Sequence, residues 1–116
     1  MAFMIRWWNQ QNNETKQIVK DLVANKQLEF INGGYCMNDE ATTYFEDIID
    51  QTTLGHEFLS DTFNFVPKIG WQIDPFGHSN TMAALQAKMG FDAQFFSRID
   101  YQDKEKRLDQ KEMEII

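Results

Sequence analysis

Lys68-Ile69-Gly70-Trp71-Gln72-Ile73-Asp74-Pro75-Phe76-Gly77-His78-Ser79 is the stretch whose reading decides the fold. Its first half alternates, with Ile69, Trp71 and Ile73 on one side, the pattern of a buried strand. The alternation stops at Asp74. Pro75 follows; it cannot donate to a ladder and favours a turn. Gly77 permits a backbone bend that other residues resist. Ser79 is of a type that caps a following helix. An acid at the carboxyl end of an α/β strand lies where such folds bind ligands. An Asp-Pro pair also serves simply to brace a turn, so taken alone it leaves both roles open.

On the amino-terminal side, residues 3–8 are apolar and aromatic, the tail of a helix or the entry to one. Asn13 is placed to cap a helix over residues 14–25, with Ile18, Val19, Leu22 and Val23 as its apolar stripe and Asn25 as a left-handed stop. Leu28-Glu29-Phe30-Ile31 reads as a short strand ended by Asn32-Gly33-Gly34. Asp39 and Glu40 could be catalytic, metal-binding, or the acidic first turn of a helix, which the helix dipole favours. That helix is expected from Ala41 to about Asp61, and His56 within it reads as a surface or packed histidine.

On the carboxyl-terminal side, a helix after Ser79 carries Met82, Leu85 and Met89 on one side and ends at Gly90. Ala93 to Ser97 reads as a strand with Arg98-Ile99-Asp100-Tyr101 at its end. From Gln102 the chain is charged and helical in composition, with Leu108, Met113 and Ile115 as sparse apolar marks. Helices alternating with three short strands imply an α/β class with parallel strands and helical crossovers. Three strands are few for such a sheet. The expected arrangement is therefore the middle of a larger α/β domain, truncated at both ends.

Composition narrows the function. The 116 residues suffice for one modest domain, and 42% hydrophobic with 14% aromatic content argues for a packed core. A net charge of −7 without a basic run argues against nucleic acid as a partner. No stretch is apolar for long enough to span a membrane. Cys36 is the single cysteine, so the chain makes no disulfide within itself. No phosphate-binding glycine loop, nucleophile elbow or paired-cysteine zinc motif is present.

In the expected layout three strand ends meet at one edge, offering residues 32–40, 74–78 and 98–101. An aspartate beside an arginine stays ionised at acid pH, which suits a carboxylate nucleophile or a metal ligand. Arg98 is equally suited to a plain structural ion pair. Phe76 and Tyr35 offer faces for a sugar ring. Asp74 and His78 are four apart on a turn, and zinc needs three or four ligands, so the residues do not assemble a metal site.

Trp71-Gln72-Ile73-Asp74-Pro75-Phe76-Gly77-His78-Ser79 resembles the signature of the family 38 glycoside hydrolases, the class II α-mannosidases. The likeness continues, in order and spacing, through Arg6-Trp7-Trp8-Asn9, Leu28-Glu29-Phe30-Ile31-Asn32-Gly33-Gly34, Cys36-Met37-Asn38-Asp39-Glu40-Ala41, Asp47-Ile48-Ile49-Asp50-Gln51, Leu54-Gly55-His56, Lys88-Met89-Gly90-Phe91 and Arg98-Ile99-Asp100-Tyr101-Gln102-Asp103-Lys104. Residues 36–40 and 100–104 are most similar to the lysosomal branch. Tyr35 departs from the tryptophan usual there.

The resemblance implies a retaining, zinc-dependent hydrolase of terminal α-linked mannose on glycoprotein-derived oligosaccharides. It implies Asp74 as both nucleophile and zinc ligand, Phe76 as a residue lining the mannose site and Arg98 as the arginine beside the nucleophile. It also implies that the other zinc ligands and the acid/base aspartate lie outside these 116 residues. The implied fold is a central slice of a seven-stranded parallel α/β barrel. The rest of the mannosidase chain would then be its partner, and a lysosomal or other acidic secretory compartment its place. On this reading the isolated chain is inactive. The alternatives are a non-catalytic fragment, or another metal-dependent carbohydrate hydrolase such as a deacetylase.

Overall fold

A computed structural model describes residues 1–112. The elements in order are α1 (Ala2–Asn9), α2 (Asn13–Ala24), α3 (Phe45–Phe63), β1 (Ile69–Gln72), α4 (Asn80–Lys88), β2 (Ala93–Phe96) and α5 (Tyr101–Gln110). Met113 and Ile115 lie outside the described residues. β1 and β2 pair in parallel, Ile69 opposite Ala93 through Gln72 opposite Phe96. With α4 between them in sequence they make a βαβ unit, which identifies an α/β arrangement with a small parallel sheet. No described helix is long and apolar enough to cross a membrane.

Local chemistry sets the helix starts. The Asn12 side chain accepts from Thr15 N–H, Ser79 from Thr81 N–H, and Asp100 from Gln102 and Asp103 N–H. Each satisfies amide donors that the first helical turn leaves free. The expected cap at Asn13 is thus one residue late. At the other end of α2 the left-handed residue is Lys26 rather than Asn25. The α4 boundaries follow the sequence closely, Ser79 capping it and Gly90, at φ +90°, turning the chain beyond it.

Phe63 of α3 gathers the aromatic packing, with Trp8 of α1 at 4.9 Å, Phe30 at 5.2 Å and Phe58 at 6.1 Å between ring centroids. Trp8 of α1, Val19 and Val23 of α2, and Ile48 and Leu59 of α3 are buried. Gly55 is required at the middle of α3. An added Cβ there would lie 1.9 Å from the Gly33 carbonyl oxygen, so only a glycine lets the 32–35 loop cross the helix so closely. His56 packs in the same region, its Nε2 lying 2.9 Å from the Asn32 carbonyl oxygen.

Three further expectations are corrected. Residues 28–31 form no strand. Asn32 N–H bonds the Ile69 carbonyl at 2.7 Å beside β1, but Asn32 and Gly33 both take positive φ, which is incompatible with an extended ladder. The long helix starts at Phe45, not Ala41, so its acidic first turn is Glu46 and Asp47 rather than Asp39 and Glu40. On β1 the buried positions are Gly70 and Gln72, whereas Ile69 and Trp71 are half-buried and Ile73 is exposed. α4 covers the Gly70 face, where the Gln86 side chain comes within 3 Å of the place a Cβ would occupy. The apolar face of β1 carries the cross-strand pair Trp71–Phe95, with ring centroids 6.2 Å apart.

Candidate active site

The site begins where the sheet ends. Residues 73–79 leave the carboxyl end of β1 and enter α4, while residues 97–100 leave the carboxyl end of β2 and enter α5. These are the loops that line ligand sites in parallel α/β folds. Arg98 Nη2 donates to Asp74 Oδ1 at 2.8 Å. The Arg98 guanidinium carbon also lies 4.9 Å from the centre of the Phe76 ring, a cation–π contact. Asp74, Phe76 and Arg98, singled out in the sequence, are therefore brought together by the structure.

The cluster is open. The Arg98 and Asp74 side chains are 54% and 63% exposed, and Phe76 is 83% exposed. A phenylalanine so placed does not contribute to the core, and the ring surface that Arg98 leaves uncovered is open to a ring-shaped ligand. Met37, Asn38 and Asp39 line a pocket together with Asp74, Pro75 and Phe76. The loop after residue 34 thus reaches the same edge, although no strand precedes it. Tyr35 lies elsewhere, in a groove that it lines with Trp71, Ile31 and the first residues of α1.

Asp39 and Glu40 hold loop geometry. Asp39 Oδ2 accepts from the Thr42 hydroxyl at 2.9 Å and Oδ1 from Glu40 N–H at 2.8 Å. The Thr42 hydroxyl and the Ala41 amide hold the Asp39 carboxyl below its ordinary range by stabilising the anion. The Glu40 side chain is 1% exposed and meets His78 and Ser79 of the β1–α4 turn. The sequence left these acids open as catalytic, metal-binding or the first turn of a helix; the contacts of Glu40 were not among those readings, because His78 is 38 residues away and no local pattern links the two. His78 accordingly faces Glu40, with its ring 4.9 Å from that of Phe96. The bend expected at Gly77 is not left-handed, and an added Cβ there would meet nothing within 4 Å.

Among the described residues, no three His, Cys, Asp or Glu side chains are grouped to hold a metal ion. Asp74 offers an exposed carboxylate of the kind zinc accepts. Asp74 is thus a donor suited to zinc that no other two such side chains join among the described residues.

The family 38 N-terminal domain of the glycosyl hydrolases matches residues 1–116. A lysosomal alpha-mannosidase of Dictyostelium discoideum is 60% identical over 116 residues, covering all of this chain and 12% of that protein. An alpha-mannosidase of Canavalia ensiformis is 56% identical over 117 residues, again covering all of this chain and 12% of the relative. The lysosomal alpha-mannosidase of Homo sapiens is 55% identical over 118 residues with the same coverage. The chain spans about 12% of the length of these relatives. With the family match running over its whole length, this chain belongs to the glycosyl hydrolases of family 38, within their N-terminal domain.

Proposed function

We propose that residues 1–116 are a central slice of the catalytic domain of an α-mannosidase, a seven-stranded parallel α/β barrel that continues beyond both ends. The carrying observation is that Asp74, Arg98 and Phe76 converge at the carboxyl edge of two parallel strands, in a chain of this family. The openness of the structure supports the slice. Its radius of gyration is 16.1 Å, against roughly 13 Å for a compact domain of this length. Phe3, Trp7, Ile31, Leu54 and Phe95 are exposed, more apolar surface than a finished domain leaves open.

Asp74 acts as the nucleophile on the anomeric carbon of a terminal α-linked mannose, and a second carboxyl from elsewhere in the full protein protonates the leaving oxygen. This is the two-carboxylate scheme of retaining glycosidases. Arg98 orients the Asp74 carboxylate and disperses its charge. Phe76 supplies an apolar face for the sugar. Zinc would be held by Asp74 with ligands from outside this chain, and when bound it supplies Lewis-acid attraction for sugar hydroxyls. The substrate is a mannose-containing oligosaccharide, and the compartment is lysosomal or similarly acidic, as the names of several relatives suggest.

The test is mannose release from an α-mannoside by the full-length protein and by its Asp74→Asn variant. Turnover abolished with the fold intact supports the nucleophile role, and near-normal turnover refutes it. Release of acetate from an acetylated sugar, with no mannose released, would point to a deacetylase. No carbohydrate hydrolysis from the folded full-length protein would leave a non-catalytic module.

A further inference from the structure

Glu40 is a buried acid with both oxygens committed to one turn. Its Oε1 lies 3.0 Å from His78 Nδ1, and its Oε2 accepts from Ser79 N–H at 2.7 Å. Its side chain is 1% exposed, and burying a carboxylate is costly unless both oxygens are satisfied. The turn it grips begins at Asp74 and contains Phe76. The loop carrying Glu40 is tied in turn to α3. Gln51 accepts from Cys36 N–H at 3.0 Å and donates to the buried Asn38 Oδ1 at 3.3 Å. The His78 ring rests on Phe96, the last residue of β2 and two residues before Arg98.

We propose that Glu40 is a positioning residue of the active site: through His78 and Ser79 it fixes the turn that aims Asp74 and Phe76. Capping of α4 does not explain its burial, because Ser79 already caps that helix with its own side chain. Glu40 instead joins the far end of the Asp74 turn to a loop anchored on α3, while Arg98 holds the near end. The turn is clamped at both ends, from different elements. The inference rests on the reading of Asp74 as the nucleophile.

The test uses the full-length protein carrying these residues. Glu40→Gln keeps the volume and an acceptor for Ser79 N–H but loses the charge facing His78, and Glu40→Ala removes both contacts. The expected result is a kcat lowered about tenfold in Glu40→Gln and about a hundredfold in Glu40→Ala, with KM for an aryl α-mannoside within about threefold. Glu40→Gln is expected to keep a cooperative melt. Unchanged kcat per folded molecule in both variants overturns the proposal, as does a rise in KM with kcat unaffected. Loss of the fold in both variants also overturns it, because Glu40 then serves the fold alone. An Asp74→Asn control separates the two readings. If that variant is active, the nucleophile reading fails; if it is inactive while the Glu40 variants are fully active, only the positioning role fails.

Discussion

Asp74 and Arg98 are 24 residues apart, the same offset that pairs Ile69 with Ala93 and Gln72 with Phe96. Continuing the parallel register two residues past its last pair brings Arg98 opposite Asp74. The ion pair thus keeps the sheet's register beyond its last paired residues. Slipping the register by one residue would carry Arg98 to the other face and separate the two charges.

Because both side chains are largely exposed, their pairing adds little to stability. Arg98→Ala in the full-length protein is expected to change unfolding free energy by less than about 1 kcal/mol, while kcat/KM for an α-mannoside falls. Arg98→Lys keeps the charge without the planar fork, so it is expected to restore activity only in part. Denaturant unfolding and steady-state kinetics give the two halves. A large stability loss with normal kinetics would make Arg98 a structural residue.

Gly55 gives the opposite case, a stability effect without a chemical one. An added Cβ would lie 1.9 Å from the Gly33 carbonyl oxygen and 2.7 Å from the Gly34 carbonyl carbon, both backbone atoms that cannot swing aside. Gly55→Ala is expected to cost about 1–3 kcal/mol or more, in the manner of an overpacked core. Gly77→Ala is the control, because its added methyl meets nothing within 4 Å. Thermal melts of both variants decide, and equal melting temperatures would mean that the loop shifts away from α3.

Asp39 sets how the 38–44 loop responds to acid. Its pKa is lowered from the ordinary 3.8, first by the Thr42 hydroxyl and then by the Ala41 amide. A depressed folded-state pKa contributes stability above the unfolded value, and that contribution is lost as pH falls through the folded value. The loop is therefore expected to keep its hydrogen bonds at pH 5 and to release them only below pH 3.8. Thr42→Val should move the Asp39 titration up towards its ordinary value. Carboxyl-carbon NMR measures both, and titration of Asp39 at or above 3.8 in the unsubstituted protein would contradict the assignment.

The purified 116-residue chain, supplied with zinc near pH 5, is expected to release no mannose. Asp74 is a single donor where zinc takes three or four, and no described trio of ligating side chains surrounds it. The same chain is expected to self-associate through its exposed apolar residues, which sedimentation would detect. Turnover that a chelator abolishes would mean that these residues complete a metal site among themselves or across copies.

Much of the chain was legible because its cues are local. Ser79 marks the start of α4 through a hydrogen bond two residues on, and Gly90 turns the chain after it. The helix–strand alternation around Trp71 and Phe95 gave a parallel βαβ unit. The motif from Trp71 to Ser79 carried the family, which a match over residues 1–116 established. Other expectations failed where a local rule met a competing constraint. Residues 28–31 have strand composition, but positive φ at Asn32 and Gly33 ends the ladder after one bond. Asp39 and Glu40 suit a helix start, but their carboxylates bond Thr42, His78 and Ser79 instead.

By itself the sequence determined which segments are helix or strand at β1, α4, β2 and α5, and that Asp74 stands at a strand's carboxyl end. Caps, turns and alternation act between residues a few positions apart, so one chain read in order contains them. Tertiary structure decided that α4 covers the Gly70 and Gln72 face, that Arg98 reaches Asp74, and that Glu40 is buried against His78. Those contacts join residues 24 and 38 positions apart. They exist because the strand register and the crossing of α3 by the 32–35 loop fix distances that no local pattern encodes.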